Sequence, residues 1–245
     1  MKHIVSYGGG IDSTAMLIAM KKRGIIPDAI LFADTGGEHP ETYSYIQYFN
    51  MWLLKNGMPQ ITTVKYKTKH GVELTLEQDI LNNHTIPSIA FGWKTCSQKF
   101  KIQPQEKWIK EQYPHEEIHH YIGFEFGEQY RMKENPIPNH FNHYPLIEFE
   151  MDRNACIREI ESEGLCVPPK SSCFYCPNMV KGEILSLSDM LKQRVKAIEK
   201  NATVLIELKG LGRTYKWTDL IDADESQHKL FDDLELYRKP CECTT

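Results

Sequence analysis

Several features that define common classes of protein are absent from this sequence of 245 residues. No apolar run approaches the roughly 20 residues that cross a bilayer, and the first apolar run breaks at glycines, unlike a signal peptide. The formal net charge is -4, which gives no overall basic field of the kind that attracts nucleic acid. We therefore expect a cytoplasmic protein without membrane contact, in which any nucleic-acid contact uses a local basic patch.

The sequence also lacks the cysteine pattern of a disulfide-stabilised scaffold. Its seven cysteines are an odd number, and the chain is long enough to bury a substantial core without disulfides. We therefore interpret the cysteines as candidates for metal or redox chemistry.

A run of three glycines connects the first predicted strand to the first predicted helix. Residues 3–5 form the strand, Gly8, Gly9 and Gly10 form the turn, and the helix continues through residues 15–20. Glycines let backbone N–H groups approach an anion, and the helix directs its positive dipole end to the same place. The turn lacks the Gly-Lys-Ser/Thr ending of a Walker loop, and an ordinary strand-to-helix turn is the alternative.

Residues 8–13 resemble the pyrophosphate loop, Ser-Gly-Gly-x-Asp-Ser, of the PP-loop ATP pyrophosphatases. Gly8 occupies the position of the first serine, Ser6 lies two residues earlier, and Ile11 occupies a position that often holds lysine. One cationic contact to phosphate must therefore come from elsewhere. The resemblance implies that the pyrophosphate and its Mg²⁺ are held by this loop, with site residues Ser6, Gly8, Gly9, Gly10, Asp12, Ser13 and Thr14.

A second polar loop follows the second predicted strand, residues 29–33, and precedes a helix that begins near Pro40. Because both loops follow strands, they should face each other at the carboxyl edge of a parallel sheet. Residues 34–42 resemble the Asp-Thr-Gly-x-x-x-Pro-Glu-Thr signature of the phosphoadenosine phosphosulfate reductase branch of the PP-loop superfamily, which we name as the family. The resemblance implies that the nucleotide pocket is also lined by Asp34, Thr35 and Gly36.

Lysines are interleaved with a cysteine in residues 94–104. Near a sheet edge, Lys99 and Lys101 can meet a phosphate or sulfate as point charges, and the alternative is a solvated helix end beside a buried cysteine. The family has a Cys-x-x-x-x-Lys-x-x-Pro segment, to which Cys96, Lys101 and Pro104 correspond. The resemblance implies that Lys101 acts at the anionic part of the substrate.

The segment after the fourth predicted strand contains further candidates. The family has Gly-x-x-x-x-Glu-x-x-Arg here, and Gly123, Glu128 and Arg131 match it. An inner arginine of the family is replaced by Glu125, and a serine by Gln129. The resemblance implies that Gly123 and Glu128 belong to the nucleotide site and that Arg131 contacts a phosphate.

Two adjacent histidines, His119 and His120, suggest a metal site at first sight. Neighbouring residues on a strand point to opposite faces of the sheet, so the two side chains cannot share one site simply. We therefore interpret both histidines as structural.

The remaining predicted elements complete an α/β fold. Further strands are predicted at residues 61–66, 118–123 and 144–147, and further helices at 43–57, 73–83 and 105–113. This alternation implies a doubly wound, mainly parallel five-stranded sheet. We assign residues 1–150 to this nucleotide-binding domain. A helical, cysteine-bearing C-terminal extension, residues 151–245, contains a helix capped by Asp152 and an exposed helix at 182–200.

A Cys-x-x-Cys turn in the extension is the second informative motif. Cys173 and Cys176 can present two thiolates to one metal or iron-sulfur cluster, and Cys166 and Cys96 are the candidates for the remaining ligands. A redox dithiol or a pair of buried free cysteines is the alternative. Many members of the family carry Ser-x-Cys-x-x-Cys-Pro, and relatives that thiolate RNA or DNA bind a [4Fe-4S] cluster through comparable cysteines.

The last residues contain two more thiols, Cys241 and Cys243. In the sulfonucleotide reductases the tail carries Glu-Cys-Gly-Leu-His, whose cysteine is the nucleophile. Only the fragment Glu242-Cys243 of that motif is present here, so Cys243 is the candidate catalytic thiol if the chain is a reductase.

We interpret the chain as an ATP pyrophosphatase that adenylates an acceptor oxygen and allows sulfur transfer, as the resemblance to nucleic-acid thiolation enzymes implies. Stabilisation of the leaving pyrophosphate would supply most of the catalysis, with Asp12, Lys101 and Arg131 at the reacting groups. The alternatives are a sulfonucleotide reductase and a module that binds a nucleotide without changing it. The expected cofactors and partners are ATP or a sulfonucleotide, Mg²⁺, a [4Fe-4S] cluster or zinc, a nucleic acid, a sulfur- or electron-donor protein, and a second copy of the chain.

Overall fold

The computed structural model describes residues 1–230, so the predictions for Cys241 and Cys243 lie outside the described residues. Five strands form one sheet: β1 (Lys2–Ser6), β2 (Ala29–Asp34), β3 (Ile61–Lys65), β4 (Ile118–Ile122) and β5 (His140–His143). Their order across the sheet is β3-β2-β1-β4-β5, and every neighbouring pair is parallel. The predicted α/β fold with a five-stranded parallel sheet is confirmed.

Helices cover the sheet and build the C-terminal part. They are α1 (Ile11–Lys22), α2 (Pro40–Lys55), α3 (Leu76–Asn82), α4 (Thr95–Ser97), α5 (Gln103–Gln112), α6 (Pro145–Glu148), α7 (Arg153–Ser162), α8 (Lys181–Leu185), α9 (Asp189–Asn201) and α10 (Trp217–Leu230). A π turn, Gln98–Ile102, joins α4 to α5, and 3₁₀ turns lie at Ser88–Phe91 and Phe126–Arg131. In residues 1–230 no helix is both long and apolar enough to cross a membrane.

The strand order reverses at β1, and this reversal positions the site. From β1 the chain moves outward to β2 and β3 on one side, and later to β4 and β5 on the other. The loops that leave the carboxyl ends of β1 and β4 therefore diverge and open a crevice between them. Ligands of open α/β sheets bind in such a crevice.

The central strands form because their sequences are apolar enough to be buried on both faces. Ile4 and Val5 of β1 and Ile30 and Leu31 of β2 are fully buried, as the continuous apolar runs of a parallel sheet require. Helix α1 is likewise buried from Ala15 to Met20. The start of this helix is therefore held rigidly against the sheet.

The predicted fifth strand at residues 144–147 is wrong. The fifth strand is β5, and Pro145 instead begins the short helix α6. Proline has no N–H for a ladder of hydrogen bonds but fits the first turn of a helix, which explains the difference. The sequence of β5 is His-Phe-Asn-His, so no apolar run marked this short edge strand.

The C-terminal part packs on the sheet domain through two contacts. Helix α7 lies against α1, and its first turn is capped by Asp152, whose carboxylate accepts a hydrogen bond from the N–H of Ala155 at 2.7 Å. The Cys-x-x-Cys turn, α8, α9 and α10 share a second hydrophobic cluster with α3 and the 3₁₀ turn at Ser88–Phe91. The single helix predicted at 182–200 is two helices, α8 and α9. The division at residue 150 stays a prediction.

Candidate nucleotide site

The glycine loop between β1 and α1 has a shape that side chains would disturb. Gly9 has φ +75°, and a Cβ there would lie 2.8 Å from Cγ2 of Thr42 on α2. A Cβ on Gly10 would lie 2.7 Å from Oγ of Ser171 in the C-terminal part. The loop is therefore packed between α2 and the segment that leads to the cysteine turn.

Hydroxyl groups of the first helical turn fix this loop. The N–H of Gly8 donates to Oγ of Ser13 at 3.1 Å, and that hydroxyl donates to the carbonyl of Gly10 at 3.2 Å. The hydroxyl of Thr14 donates to the same carbonyl at 2.9 Å. Two residues predicted to hold pyrophosphate thus also determine the loop conformation. Ser6, in contrast, donates its hydroxyl to Gln105 at 2.8 Å.

Gly123 brings the end of β4 against the start of α1. A Cβ at this position would lie 3.0 Å from the N–H nitrogen of Ser13 and 3.1 Å from the carbonyl carbon of Asp12. These are backbone atoms of a buried helix and cannot move away easily. The structure therefore places the predicted site residue Gly123 directly at the glycine loop.

Charged groups surround Asp12 in the crevice between β1 and β4. Nη1 of Arg153 lies 2.7 Å from Oδ1 of Asp12, and Arg131 pairs with Glu128 at 2.5 Å. Burial raises the pKa of Asp12, while the guanidinium of Arg153 opposes this effect. Burial and the nearby charges of Asp12 and Glu128 raise the pKa of Glu125. The predicted residues Asp12, Glu128 and Arg131 are thus brought together.

The loop after β2 is held by its own side chains. Oδ1 of Asp34 accepts hydrogen bonds from the N–H of Gly36 at 2.8 Å and from the hydroxyl of Tyr43 at 2.7 Å. The hydroxyl of Thr35 lies 3.2 Å from Sγ of Cys173. This loop therefore connects the predicted nucleotide pocket to the cysteine turn.

Three of the four predicted metal ligands share one apolar environment. Cys173 is a buried member of the second hydrophobic cluster, and the partly buried Cys96 and Cys176 pack against it. Burial raises the pKa of Cys173 to about 12 and also raises the pKa of Cys176. Cys166 lies apart, beside α2, where its carbonyl accepts a hydrogen bond from Tyr45 at 2.8 Å.

This arrangement does not present a ready metal site. Within residues 1–230, no group of three or more His, Cys, Asp or Glu side chains is arranged so that it could hold a metal ion. The set Cys96, Cys166, Cys173 and Cys176 therefore stays a prediction.

The two lysines predicted as anion contacts are paired with carboxylates. Nζ of Lys101 lies 3.1 Å from Oε1 of Glu38, a residue that is only 4% exposed. Nζ of Lys99 lies 2.8 Å from Asp79 and over the ring of Tyr66. Both lysines therefore have partners within the protein.

Several buried polar atoms near the two loops have no hydrogen-bond partner among the described residues. They are Oε2 of Glu38, Oγ1 of Thr42, Oε2 of Glu125 and the hydroxyl of Tyr175. Buried polar groups are nearly always paired, so these four atoms are positions that a bound ligand or a water molecule would pair.

A cavity of about 190 Å³ lies at the glycine loop. It is lined by Gly10, Ile11, Asp12, Arg153, Pro169, Lys170 and Ser171. A larger cavity, of about 770 Å³, lies at the opposite edge of the sheet, where residues near Tyr113, Pro138 and His140 surround the amino ends of β4 and β5. The smaller cavity coincides with the predicted phosphate loop.

Two residues that line this cavity, Arg153 and Lys170, belong to the C-terminal part and were not predicted from the sequence. Arg153 is the first residue of α7, and Lys170 precedes the Ser171 that contacts the glycine loop. A helix start after a capping Asp152 marked the position of Arg153, but nothing local indicated which loop it would face.

The adjacent histidines have separate partners, as opposite faces of β4 require. Nδ1 of His119 lies 2.7 Å from Nε2 of His143, and Nε2 of His120 lies 2.9 Å from Nδ1 of His140. Burial lowers the pKa of His120 to about 4. These pairs join β4 to the edge strand β5, in keeping with a structural role.

The first half of the chain is similar to a known family of domains. Residues 2–119 match the family model of the phosphoadenosine phosphosulfate reductase domain. The matched residues include the glycine loop, the loop after β2 and the Cys96 segment, and the match ends before Gly123. The predicted resemblance to this branch of the PP-loop superfamily is confirmed.

Comparisons with solved structures and with curated proteins give weaker similarity or none. The chain is similar to the solved structure of the U34-tRNA thiolase NcsA from Methanococcus maripaludis with its [4Fe-4S] cluster, with 14% sequence identity and a TM-score of 0.48. The similarity covers 98% of this chain and 76% of that chain. Similarity at this level carries no argument about function. No curated protein sequence matches the chain.

Proposed function

We propose that this protein is a PP-loop enzyme that adenylates an acceptor oxygen with Mg-ATP and so prepares the acceptor for sulfur transfer. The observation that carries the proposal is the position of the glycine loop. It joins β1 to the buried helix α1 where the strand order reverses, within the residues that match the reductase family model. Phosphates bind at such loop-to-helix junctions.

The reaction makes and breaks one bond in each of two steps. The acceptor oxygen forms a bond to the α-phosphorus of ATP, and the bond to pyrophosphate breaks. Hydrosulfide supplied by a sulfur donor then forms a carbon-sulfur bond at the activated acceptor and loses its proton, while the carbon-oxygen bond breaks and AMP leaves with the oxygen. The acceptor class that we propose is a nucleic acid or a small molecule with an activatable oxygen.

The residues of the loop would act on the leaving pyrophosphate. Backbone N–H groups of Gly9 and Gly10 and the dipole of α1 stabilise the charge that develops there, while the N–H of Gly8 stays on Ser13 and fixes the loop. Asp12 is the carboxylate in the loop that can bind the magnesium of Mg-ATP. The Asp34–Gly36 loop would line the rest of the nucleotide pocket.

The cysteines would act next to this pocket, since Cys173 contacts Thr35. A [4Fe-4S] cluster or zinc on Cys96, Cys173 and Cys176 would require all three to lose their protons and turn toward one point. Burial of Cys173 and Cys176 raises the pKa of both thiols and so opposes the loss of their protons. Among the described residues, no three candidate ligands converge on one point. The thiols in this arrangement therefore do not fit a cluster or zinc.

The proposal is tested by measuring ligand preference on anaerobically purified protein. Isothermal titration calorimetry should show that Mg-ATP binds at least tenfold more tightly than phosphoadenosine phosphosulfate, a difference of about 1.4 kcal/mol. Pyrophosphate should then appear when ATP, a sulfur donor and a nucleic acid are supplied. Preference for the sulfonucleotide would instead support a reductase, and recovery of bound ATP unchanged would support a binding module.

A further inference from the structure

The glycine loop lacks a cation of its own. Ile11 occupies the position where related loops often carry lysine, and this residue is 9% exposed and packs in the hydrophobic core that β1, α1 and α7 share. The leaving pyrophosphate carries several negative charges that backbone N–H groups alone neutralise poorly. Some other part of the chain must supply positive charge.

We propose that Arg153 and Lys170, both from the C-terminal half, bind the pyrophosphate portion of the nucleotide in place of the missing lysine. This inference rests on the proposed function and names further binding residues for the same site. Both side chains line the cavity of about 190 Å³ that Gly10, Ile11 and Asp12 also line.

The fold holds Arg153 at the loop from one side. Helix α7 packs along the buried helix α1, and the capped first turn of α7 directs Arg153 toward the start of α1. There its guanidinium meets Oδ1 of Asp12 at 2.7 Å. A guanidinium in this position can donate two parallel hydrogen bonds to a phosphate.

The fold holds Lys170 at the loop from the other side. The adjacent Ser171 is so close to the loop that a Cβ on Gly10 would meet its Oγ at 2.7 Å. Two prolines, Pro168 and Pro169, restrict the backbone just before Lys170. A constrained segment therefore holds Lys170 at the wall of the cavity, where its ammonium group now donates to Glu183 at 2.8 Å.

The present partners of these cations are easily exchanged. The side chains of Arg153 and Lys170 are 47% and 55% exposed, and their partners Asp12 and Glu183 are 27% and 33% exposed. Ion pairs this accessible to water contribute little, so a phosphate with several charges can compete for both cations.

The ion pair of Lys101 is less accessible to water than those of Arg153 and Lys170. Its partner Glu38 has a side chain that is 1% exposed. Moving Lys101 to a phosphate would leave a buried carboxylate without its counter-charge, which is costly. The structure thus favours Arg153 and Lys170 over Lys101 as phosphate ligands.

The test is calorimetric titration of the full chain with inorganic pyrophosphate in the presence of magnesium. Arg153→Ala and Lys170→Ala should each weaken pyrophosphate binding about tenfold, and Arg153→Lys should recover part of the loss. Arg158→Ala and Lys181→Ala are the matched controls. Arg158 is an exposed arginine on the same helix, and Lys181 is an exposed lysine that lies over Tyr215. Circular dichroism melting verifies that all variants fold.

The outcomes separate this inference from the proposed function. If Arg153→Ala and Lys170→Ala bind pyrophosphate as tightly as the controls, the inference is overturned. The proposed function still holds in that case if the same variants release pyrophosphate from ATP. If the unmodified protein binds neither pyrophosphate nor Mg-ATP, both are overturned.

Discussion

The thiol of Cys173 lies 3.2 Å from the hydroxyl of Thr35. An antiparallel bridge between Glu38 and Cys173 reinforces this contact between the cysteine turn and the loop after β2. Because the loop is the candidate lining of the nucleotide pocket, a ligand bound there would alter the surroundings of the cysteine turn. The two informative motifs of the sequence thus form one continuous structure.

The first prediction concerns the accessibility of these thiols. Cys173 is 9% exposed, whereas Cys166 is exposed. We expect iodoacetamide to alkylate Cys173 at least about tenfold more slowly than Cys166 in the folded protein, because reagents reach buried thiols only through opening motions. Mass spectrometry of the two peptides measures both rates, and saturating Mg-ATP should slow Cys173 further. The rates in urea give the reactivity of the two thiols in the unfolded chain. If the two thiols react equally fast in urea and also in the folded protein, the described burial of Cys173 is contradicted.

The second prediction concerns the packing of the glycine loop. Gly9 and Gly24 have nearly the same backbone angle, φ +75° and +74°, but only Gly9 has a close neighbour, Thr42. Gly24→Ala should cost about 1 kcal/mol for the left-handed conformation alone. Gly9→Ala should cost more, because its Cβ would also meet Cγ2 of Thr42 at 2.8 Å.

Urea denaturation gives both free energies of unfolding. A Thr42→Ser background removes the Cγ2 methyl group, so the extra cost of Gly9→Ala should shrink there. An unchanged cost in that background would show that the contact with Thr42 is not the cause.

Much of the sheet domain follows from the sequence because its signals are local. The apolar runs of β1 and β2 and the glycines between β1 and α1 each determine their structure within about ten residues, so strands, helices and loops could be placed in order. Strand β5 could not, because an edge strand with the sequence His-Phe-Asn-His carries neither an apolar run nor clear alternation.

The site was only partly predictable for a different reason. Gly123 and Asp12 follow from motifs, but Arg153 meets Asp12 across 141 residues of sequence, through the packing of α7 on α1. No local pattern encodes that approach. Similarly, Arg213 donates hydrogen bonds to the carbonyls of Ala90 and Pro177, and so ties the cysteine turn to two distant segments without any motif.

The third prediction concerns a buried carboxylate that organises the C-terminal part. Glu199 is 6% exposed and accepts hydrogen bonds from the N–H groups of Leu211, Trp217 and Thr218 and from the hydroxyl of Thr218, at 2.7 to 2.9 Å. Glu199→Ala leaves these buried donors without an acceptor, so we expect a loss of about 3 kcal/mol or more in the free energy of unfolding.

The control for this prediction is Glu161→Ala, which removes an exposed carboxylate from α7. Surface changes of this kind typically fall within about 0.5 kcal/mol. Urea denaturation compares the two variants, and similar midpoints for both would contradict the role assigned to Glu199.

The fourth prediction is a loss of stability in mild acid caused by the contact between β4 and β5. Burial, reinforced by the neighbouring histidines, lowers the pKa of His120 from 6.5 to about 4. The unfolded chain therefore takes up a proton near pH 6.5 that the folded protein accepts only near pH 4. The contribution of His120 to the free energy of unfolding is thus complete above pH 6.5 and falls by roughly 3 kcal/mol as the pH decreases toward 4. His140 and His143, whose pKa values are also lowered by burial, act in the same direction.

Urea denaturation at several pH values between about 4 and 8 measures this effect. His120→Leu should flatten the dependence of the unfolding free energy on pH in that interval, because neither state of the variant binds the proton at this position. His115→Leu, which changes an exposed histidine in the turn before β4, should keep the slope of the unmodified protein. If the unfolding free energy of His120→Leu depends on pH as steeply as that of the unmodified protein, the acid sensitivity does not come from His120 or from its contact with His140.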